Sequence, residues 1–292
     1  VVGGVVLSLS VAMVLVLAAV MLLSGGIKGL SGFGMPMVSI PVSTLVLGAS
    51  IPQAMGWVLV SVFVTNTVQL IQHWSSRAVL RRVWPLVLGM SAALAVSVQL
   101  LAALSGNVLS ILVGAMMLVS VASQLTKPVQ VPRHWQPWTL GISGVISGAL
   151  GGVTSFFGFP ALQTLVACGL EKDDFVFSVS LSFLLGGLIL AIGLGGQGLV
   201  SGQDAIVSVL MVVPALVGLN LGRRLRHRIS LETFRRLIFV LILITGLSMV
   251  VNGVVRLSSV DRTQAQQLTA VGAQVEPAFG RTDGQRPYAF IQ

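Results

Sequence analysis

Two short strings in this chain repeat one another and suit the capture of an anion. Phe33-Gly34-Met35-Pro36 recurs 124 residues later as Phe157-Gly158-Phe159-Pro160. Each follows a glycine-dense stretch, Gly25-Gly26-Ile27-Lys28-Gly29-Leu30-Ser31-Gly32 in the first case and Gly148-Ala149-Leu150-Gly151-Gly152-Val153-Thr154-Ser155-Phe156 in the second. Superposing the prolines aligns Ser31 with Ser155. Proline suits the first turn of a helix, where its missing N–H costs nothing, and the preceding glycines let the backbone turn tightly. A helix begun in this way presents unpaired N–H groups and a partial positive charge. Ser31, Thr154 and Ser155 add hydroxyl donors, and Lys28 is the one basic residue beside either string. The expected site therefore draws Lys28, Ser31, Gly32, Phe33 and Gly34 from the first string and Gly152, Thr154, Ser155, Phe157 and Gly158 from the second.

Each of these residues also has a plainer reading. Lys28 either balances the charge of an anion or lets its stem carry the ammonium to a membrane boundary. Taken one at a time, Gly25, Gly29, Gly144 and Gly148 read as packing residues between close helices, and only the duplication turns the odds toward a site. Asn66, Gln69, Gln163, Ser178, Ser180, Ser182 and Asn220 more often bond between helices than line a path. Trp57, Trp74, Trp84, Trp135 and Trp138 read as interface anchors, with Trp57 deep enough to be an exception.

The elements that must hold these residues are membrane helices. Hydrophobic residues make up 55% of the chain and charged residues only 9%, with a mean hydropathy of +0.97, which leaves too little polar surface for a water-soluble globule. The apolar runs are continuous rather than alternating, which favours helices over a membrane barrel. Spans are expected near 5–23, 35–47, 52–72, 84–104, 108–125, 138–153, 160–170, 174–194, 205–221 and 237–255. The run 5–23 is too long for a signal-peptide core and lacks a cleavage site, so it is counted as a span.

Arg77, Arg81 and Arg82 share one loop, Lys127 and Arg133 another, and Arg223, Arg224, Arg226 and Arg228 a third that continues to Arg235 and Arg236. Loops 105–107 and 195–204 alternate with these and carry no lysine or arginine. The basic loops are thus expected to face the cytoplasm together, with both termini outside. Five spans precede the connector and five follow it, so the second half enters with opposite polarity. The expected fold is an all-α integral membrane protein of about ten segments, arranged as two inverted-topology five-helix repeats whose Gly/Pro-broken helices meet near the midplane. Such short, interrupted segments at matching places are the best sequence pointer to a transporter's binding site. The expected divisions are a first repeat over 1–126, a cytoplasmic connector over 127–137, a second repeat over 138–257 and a polar flexible tail over 258–292.

Other chemistry is argued against by what the chain lacks. Cys168 is its single cysteine, and His73, His134 and His227 have no metal-ligand spacing, so neither a metal nor a cofactor is expected. No catalytic constellation such as His-Glu-x-x-His or Gly-x-Ser-x-Gly is present, so an enzyme is not expected. The formal charge of +9 reads as orientation and contact with anionic lipid, not as a nucleic-acid surface. The expected partners are a small anionic substrate and the lipid bilayer, with a homo-oligomer left open.

The two Gly-rich segments ending in Gly-x-Pro, within an all-helical chain of this size, resemble those of the sulfite exporter TauE/SafE family, also called the toluenesulfonate uptake permease family. The resemblance covers roughly Val5 to Val255. It implies a carrier of small sulfur-containing oxyanions, sulfite or organosulfonates, in the bacterial cytoplasmic membrane, exporting by alternating access. A passive anion channel, or a carrier for another organic anion such as a carboxylate, is the alternative. The family often has small, hydroxylated residues early in the following helix. Ser178-Val179-Ser180-Leu181-Ser182 fits, whereas Ala54-Met55-Gly56-Trp57 departs with an indole. Phe156 and Phe157 stand where relatives look smaller, which favours a substrate with an apolar part.

Overall fold

The computed structural model of the chain describes residues 11–123, 130–225, 240 and 242–258. The expectations for 5–10, Lys127, Arg226, His227, Arg228, Arg235, Arg236 and the tail beyond Ser258 lie outside these. The described residues form helices and no strand. In chain order these are α1 (Val11–Ser31), α2 (Met35–Leu47), α3 (Ile51–Gln72), α4 (Leu80–Ser97), α5 (Gly106–Ser123), α6 (Gln136–Thr154), α7 (Ala161–Ala167), α8 (Lys172–Gly196), α9 (Gly202–Leu210) and α10 (Val212–Leu225), followed by α11 (Ile242–Ser258). Single 3-10 turns precede and follow α4, at Trp74–Val79 and Val98–Ala103.

Local chemistry sets several of these ends. The Ser50 hydroxyl accepts from the Gln53 N–H at the start of α3, and Ser201 and Asp204 form a reciprocal capping box at the start of α9. Asp173 and Asp174 stand in the first turn of α8, where the helix dipole favours negative charge. Gly48, at φ +67, closes α2.

Six stretches are long and apolar enough to cross a bilayer, namely 11–31, 51–72, 74–103, 106–123, 172–196 and 202–225. Their outward faces carry exposed Leu15, Leu88, Ile192 and Val213, a surface suited to lipid. The bounds differ from expectation in four places. The first span does not stop at Leu23 but continues as helix through Gly25, Gly26, Lys28 and Gly29 to Ser31. Span 84–104 ends in a 3-10 turn, span 205–221 is divided at Met211, and Pro160 caps α7 instead of sitting in its first turn.

The glycine-rich stretches stay helical because their missing side chains are used for packing. A Cβ on Gly25 or Gly29 would strike the backbone of Ala215 or Leu219, and one on Gly218 or Gly222 would strike Leu22 or Gly26. Contact numbers rise together, so α1 and α10 run parallel with their backbones touching. The same arrangement recurs where Gly144, Gly148 and Gly152 of α6 meet Leu86, Met90 and Ser97 on α4 and its extension. At the centre α3 lies antiparallel to α8, with Gln69 opposite Ser180 and Val62 opposite Gly187. On another flank Gly114 of α5 meets Gly246 and Val250 of α11.

Contacts divide the chain into one unit over Val1–Gly253 and a second over Val254–Gln292. Of the second, the described part is the helical end 254–258.

Filling one of the close crossings should be costly. Gly218→Leu or Gly29→Leu is expected to destabilise the protein by about 1–3 kcal/mol, read as a lower thermal midpoint in detergent. Gly195→Ala, with nothing within 4 Å of its Cβ position, should leave that midpoint unchanged.

Candidate functional site

The two helix breaks are built differently. In the first, Gly32 at φ +89 and Gly34 at φ +97 turn the chain through a left-handed region open to glycine, and α2 starts at Met35 with Pro36 in its first turn. In the second, Ser155 itself takes φ +57, a region that strains a residue bearing a side chain. Residues 155–160 are non-helical before α7 begins.

Most polar groups at the two breaks already have partners. The Ser31 hydroxyl is within reach of the Ile27 and Phe33 carbonyls at 2.8 and 2.7 Å and accepts from the Phe33 N–H. Thr154 donates to the Leu150 carbonyl at 2.7 Å and accepts from the Phe156 N–H at 3.1 Å. The Ala161 N–H, first in α7, donates to the Ser147 hydroxyl at 2.9 Å, and the Leu162 N–H donates to the Gly158 carbonyl. The expected ring of free amides at the second break is therefore largely used up, because a backbone inside an apolar core has to find acceptors locally.

What stays open is a set of donors along the α3–α8 seam and at the second break. Lys28 is 2% exposed and donates to the Asn66 side-chain carbonyl on α3. It is held deep in the protein by the helical course of α1, not carried to a boundary. The Asn66 amide nitrogen, the hydroxyls of Ser43, Ser61 and Ser182, and the hydroxyl of Ser155 are buried with no hydrogen-bond partner in the protein. No carboxylate stands among them.

Both breaks pack on α8. Gly32 faces Val176, and the Phe33 ring meets Phe175 edge-on at 6.4 Å. The Phe157 ring meets Phe183 edge-on at 5.0 Å. Phe175 and Phe183 are eight residues apart, about 12 Å along the helix at 1.5 Å per residue. Gly32, Phe33 and Gly34 thus form one cluster toward the start of α8, and Ser155, Phe157 and Gly158 a second cluster farther along it; Lys28 reaches α3 at Asn66, which the α3–α8 register sets nearer to Phe183 than to Phe175. Gly152 packs on Ser97, outside either cluster.

The seam is closed at both ends. At the start of α8, His73 lies 3.7 Å from Asp173 and Trp74 packs edge-on against Phe177. At the other end Asp204 accepts from the Trp57 indole at 2.8 Å and from the Gln53 amide at 3.4 Å, and Val200 fills the space beside Gly56. Trp57 is 1% exposed, so it is the deep exception, whereas Trp74, Trp84, Trp135 and Trp138 are all more than half exposed.

Sequence reasoning singled out Lys28 and Ser155 as site residues, but read Asn66 and Ser182 as ordinary interhelical polar residues and passed over Ser43 and Ser61. An isolated serine or asparagine in an apolar run says nothing of which helix it will face. The match of Asn66 with Lys28, 38 residues away, is visible only in three dimensions.

A family model described as sulfite exporter TauE/SafE matches residues 17–249. No curated protein and no solved structure matches the chain.

The buried ammonium and its amide acceptor should be energetically coupled. Asn66→Leu is expected to cost about 2–3 kcal/mol by leaving the charge without an acceptor, and adding Lys28→Met should recover most of that loss. Thermal unfolding of both single variants and the double variant measures the coupling; simple additivity would count against a shared bond.

Proposed function

The chain belongs to the sulfite exporter TauE/SafE family, and from that premise we propose that it carries a small sulfur-containing oxyanion, sulfite or an organosulfonate, outward across a bacterial cytoplasmic membrane. The family is one of multi-pass membrane transporters. The observation that carries the substrate reading is a buried lysine on the seam with unspent donors and no carboxylate among them. Lys28 brings one positive charge, the Asn66 amide and the Ser61 and Ser182 hydroxyls bring unspent donors, and no acidic side chain competes for them. An oxyanion would satisfy these groups together and relieve the desolvation of Lys28, which a neutral amide offsets only in part. Ser155 would add a donor from the second break, and Phe157 on Phe183 would offer an apolar wall to an organic sulfonate.

The proposed mechanism is alternating access between the two closures of the seam. Releasing His73 from Asp173 and Trp74 from Phe177 would open one end; releasing Trp57 from Asp204 would open the other. We read the first end as cytoplasmic, since Arg77, Arg81 and Arg82 follow it in sequence. The chain is read as ten segments in two inverted repeats, over 1–126 and 138–257, joined by the connector 127–137. Supporting this are the equivalent pairings of α1 with α10 and of α6 with α4, each parallel, together with the antiparallel meeting of α3 and α8. With α3 taken to run inward, these contacts make α1 run inward and its counterpart α6 run outward, as inversion requires.

Counterflow in proteoliposomes with labelled sulfite, and in parallel with an alkyl or aryl sulfonate, tests the proposal. Saturable, trans-stimulated flux is expected, with Lys28→Met lowering it at least about tenfold. Ser155→Gly should separate transport from stability. It removes the strain of φ +57 and so leaves the thermal midpoint equal or higher, yet it should lower flux several-fold. Flux of neither solute, or single-channel currents without trans-stimulation, would sink the carrier reading.

A further inference from the structure

A second anion-binding feature lies away from the seam, at the level where α4 and α6 begin. Arg81, Arg82, Trp84, Arg133 and Gln136 line an open cleft of about 340 Å³. Arg82 forms its fixed floor, donating to the Gln136 side-chain carbonyl at 2.8 Å and to the backbone carbonyl of Cys168, while Gln136 in turn donates to the Val131 carbonyl at 3.0 Å. The Arg81 and Arg133 side chains stand exposed on its walls without a hydrogen bond or ion pair, and among the described residues no carboxylate lines it.

The placement of these cations is unfavourable as it stands. Arg81 and Arg82 lie in α4, which continues directly from the 3-10 turn Trp74–Val79, and Arg133 opens the 3-10 turn Arg133–Trp135 that leads into α6. Neither helix has an acidic residue in its first turn to offset them. Three guanidinium groups therefore repel one another across one cleft. A bound anion removes that repulsion and gains bidentate hydrogen bonds from arginine.

The surroundings select a lipid as the source of the anion. Trp84, Trp135 and Trp138, at 54%, 56% and 70% exposure, mark the level of a membrane interface. One turn deeper on each helix stand Leu88 and Ile142, both 59% exposed, an apolar track leading from the cleft into the hydrocarbon. We propose that this cleft binds the phosphate of an anionic phospholipid headgroup, with the acyl chains lying along Leu88 and Ile142. Basic clefts between membrane helices at the cytoplasmic side suit such headgroups.

Thermal-shift titration of the full chain in neutral detergent tests this, using dioctanoyl phosphatidylglycerol, phosphatidylcholine of the same chain length, and inorganic phosphate. Phosphatidylglycerol should raise the midpoint saturably, and phosphatidylcholine at the same concentration should give less than half that shift. Arg81→Gln/Arg133→Gln should weaken the response roughly tenfold or more, whereas Arg77→Gln, outside the cleft, should leave it unchanged. Arg82 is left intact because it ties α4 to the end of α7. Should the double variant not be recovered folded, each single variant is expected to weaken the response several-fold. An unaltered response in the arginine variants, or equal shifts from both lipids, overturns the proposal. Inorganic phosphate acting at the same concentration as phosphatidylglycerol would make the ligand a soluble anion and overturn the lipid assignment.

Discussion

Hydrocarbon offers no hydrogen bonds, so a helix that breaks inside it must be repaired from within the protein. Both breaks here meet that constraint, and much of the architecture follows from how. At the first, Ser31 binds its own turn and Phe33, two residues on, while Gly32 and Gly34 redirect the chain. At the second, Thr154 takes the Phe156 N–H and Ser147, about two turns before the end of α6, takes the Ala161 N–H. The bare faces of Gly25, Gly29, Gly218 and Gly222 on one side, and of Gly144, Gly148 and Gly152 on the other, serve a separate need, bringing α10 against α1 and α4 against α6.

Once the breaks are repaired locally, their amides are no longer the main attraction for an anion, and the chemistry moves to the seam between α3 and α8. There the decisive group is Lys28. A solitary ammonium in an apolar interior is expensive to hold, and its acceptor is a neutral amide instead of a carboxylate. A carboxylate would neutralise the site and leave an incoming anion nothing to bind. The Asn66 carbonyl orients the ammonium without cancelling it, and its amide nitrogen remains unspent. In the proposed carrier, a negatively charged solute would interact with both groups at once.

Much of this was legible in the residues, and what was not fails for identifiable reasons. Composition and unbroken apolar runs are enough for an all-helical membrane protein, and the proline at Pro36 with the glycine at Gly48 bounds α2 at the expected residues, Met35–Leu47. The glycine stretches misled. Read alone, glycine weakens a helix, but in lipid it also admits a second backbone, and that tertiary gain keeps α1 helical to Ser31 and carries Lys28 into the interior. Trp57 reads as deep from its place in the run, but that its indole donates to Asp204, 147 residues away, is not legible there. Periodicity reports which face of a helix is apolar; it does not report which distant polar atom will meet it.

The closures at the two ends of the seam differ in kind, and that difference bears on how the carrier works. At the α8 start the contact is a weakly held His73–Asp173 approach backed by aromatic edges from Trp74, Phe177, Phe33 and Phe175. At the far end Trp57 and Gln53 of α3 both donate to Asp204, whose bonds to Ser201 lie within the start of α9 itself, so opening there must break the two bonds from α3. In an alternating-access carrier the conformer with more bonds across one end is the one in which that end stays shut. Under the proposed mechanism the resting bias would lie toward opening at His73, beside the helical segment carrying Arg77, Arg81 and Arg82. Binding at Lys28 has to supply the differential contacts that shift the balance toward release of Trp57, since a ligand held equally well by both conformers moves neither. The donors on α8, Ser182 foremost, are placed to tell the conformers apart, because α8 spans from one closure to the other and is touched by both broken helices.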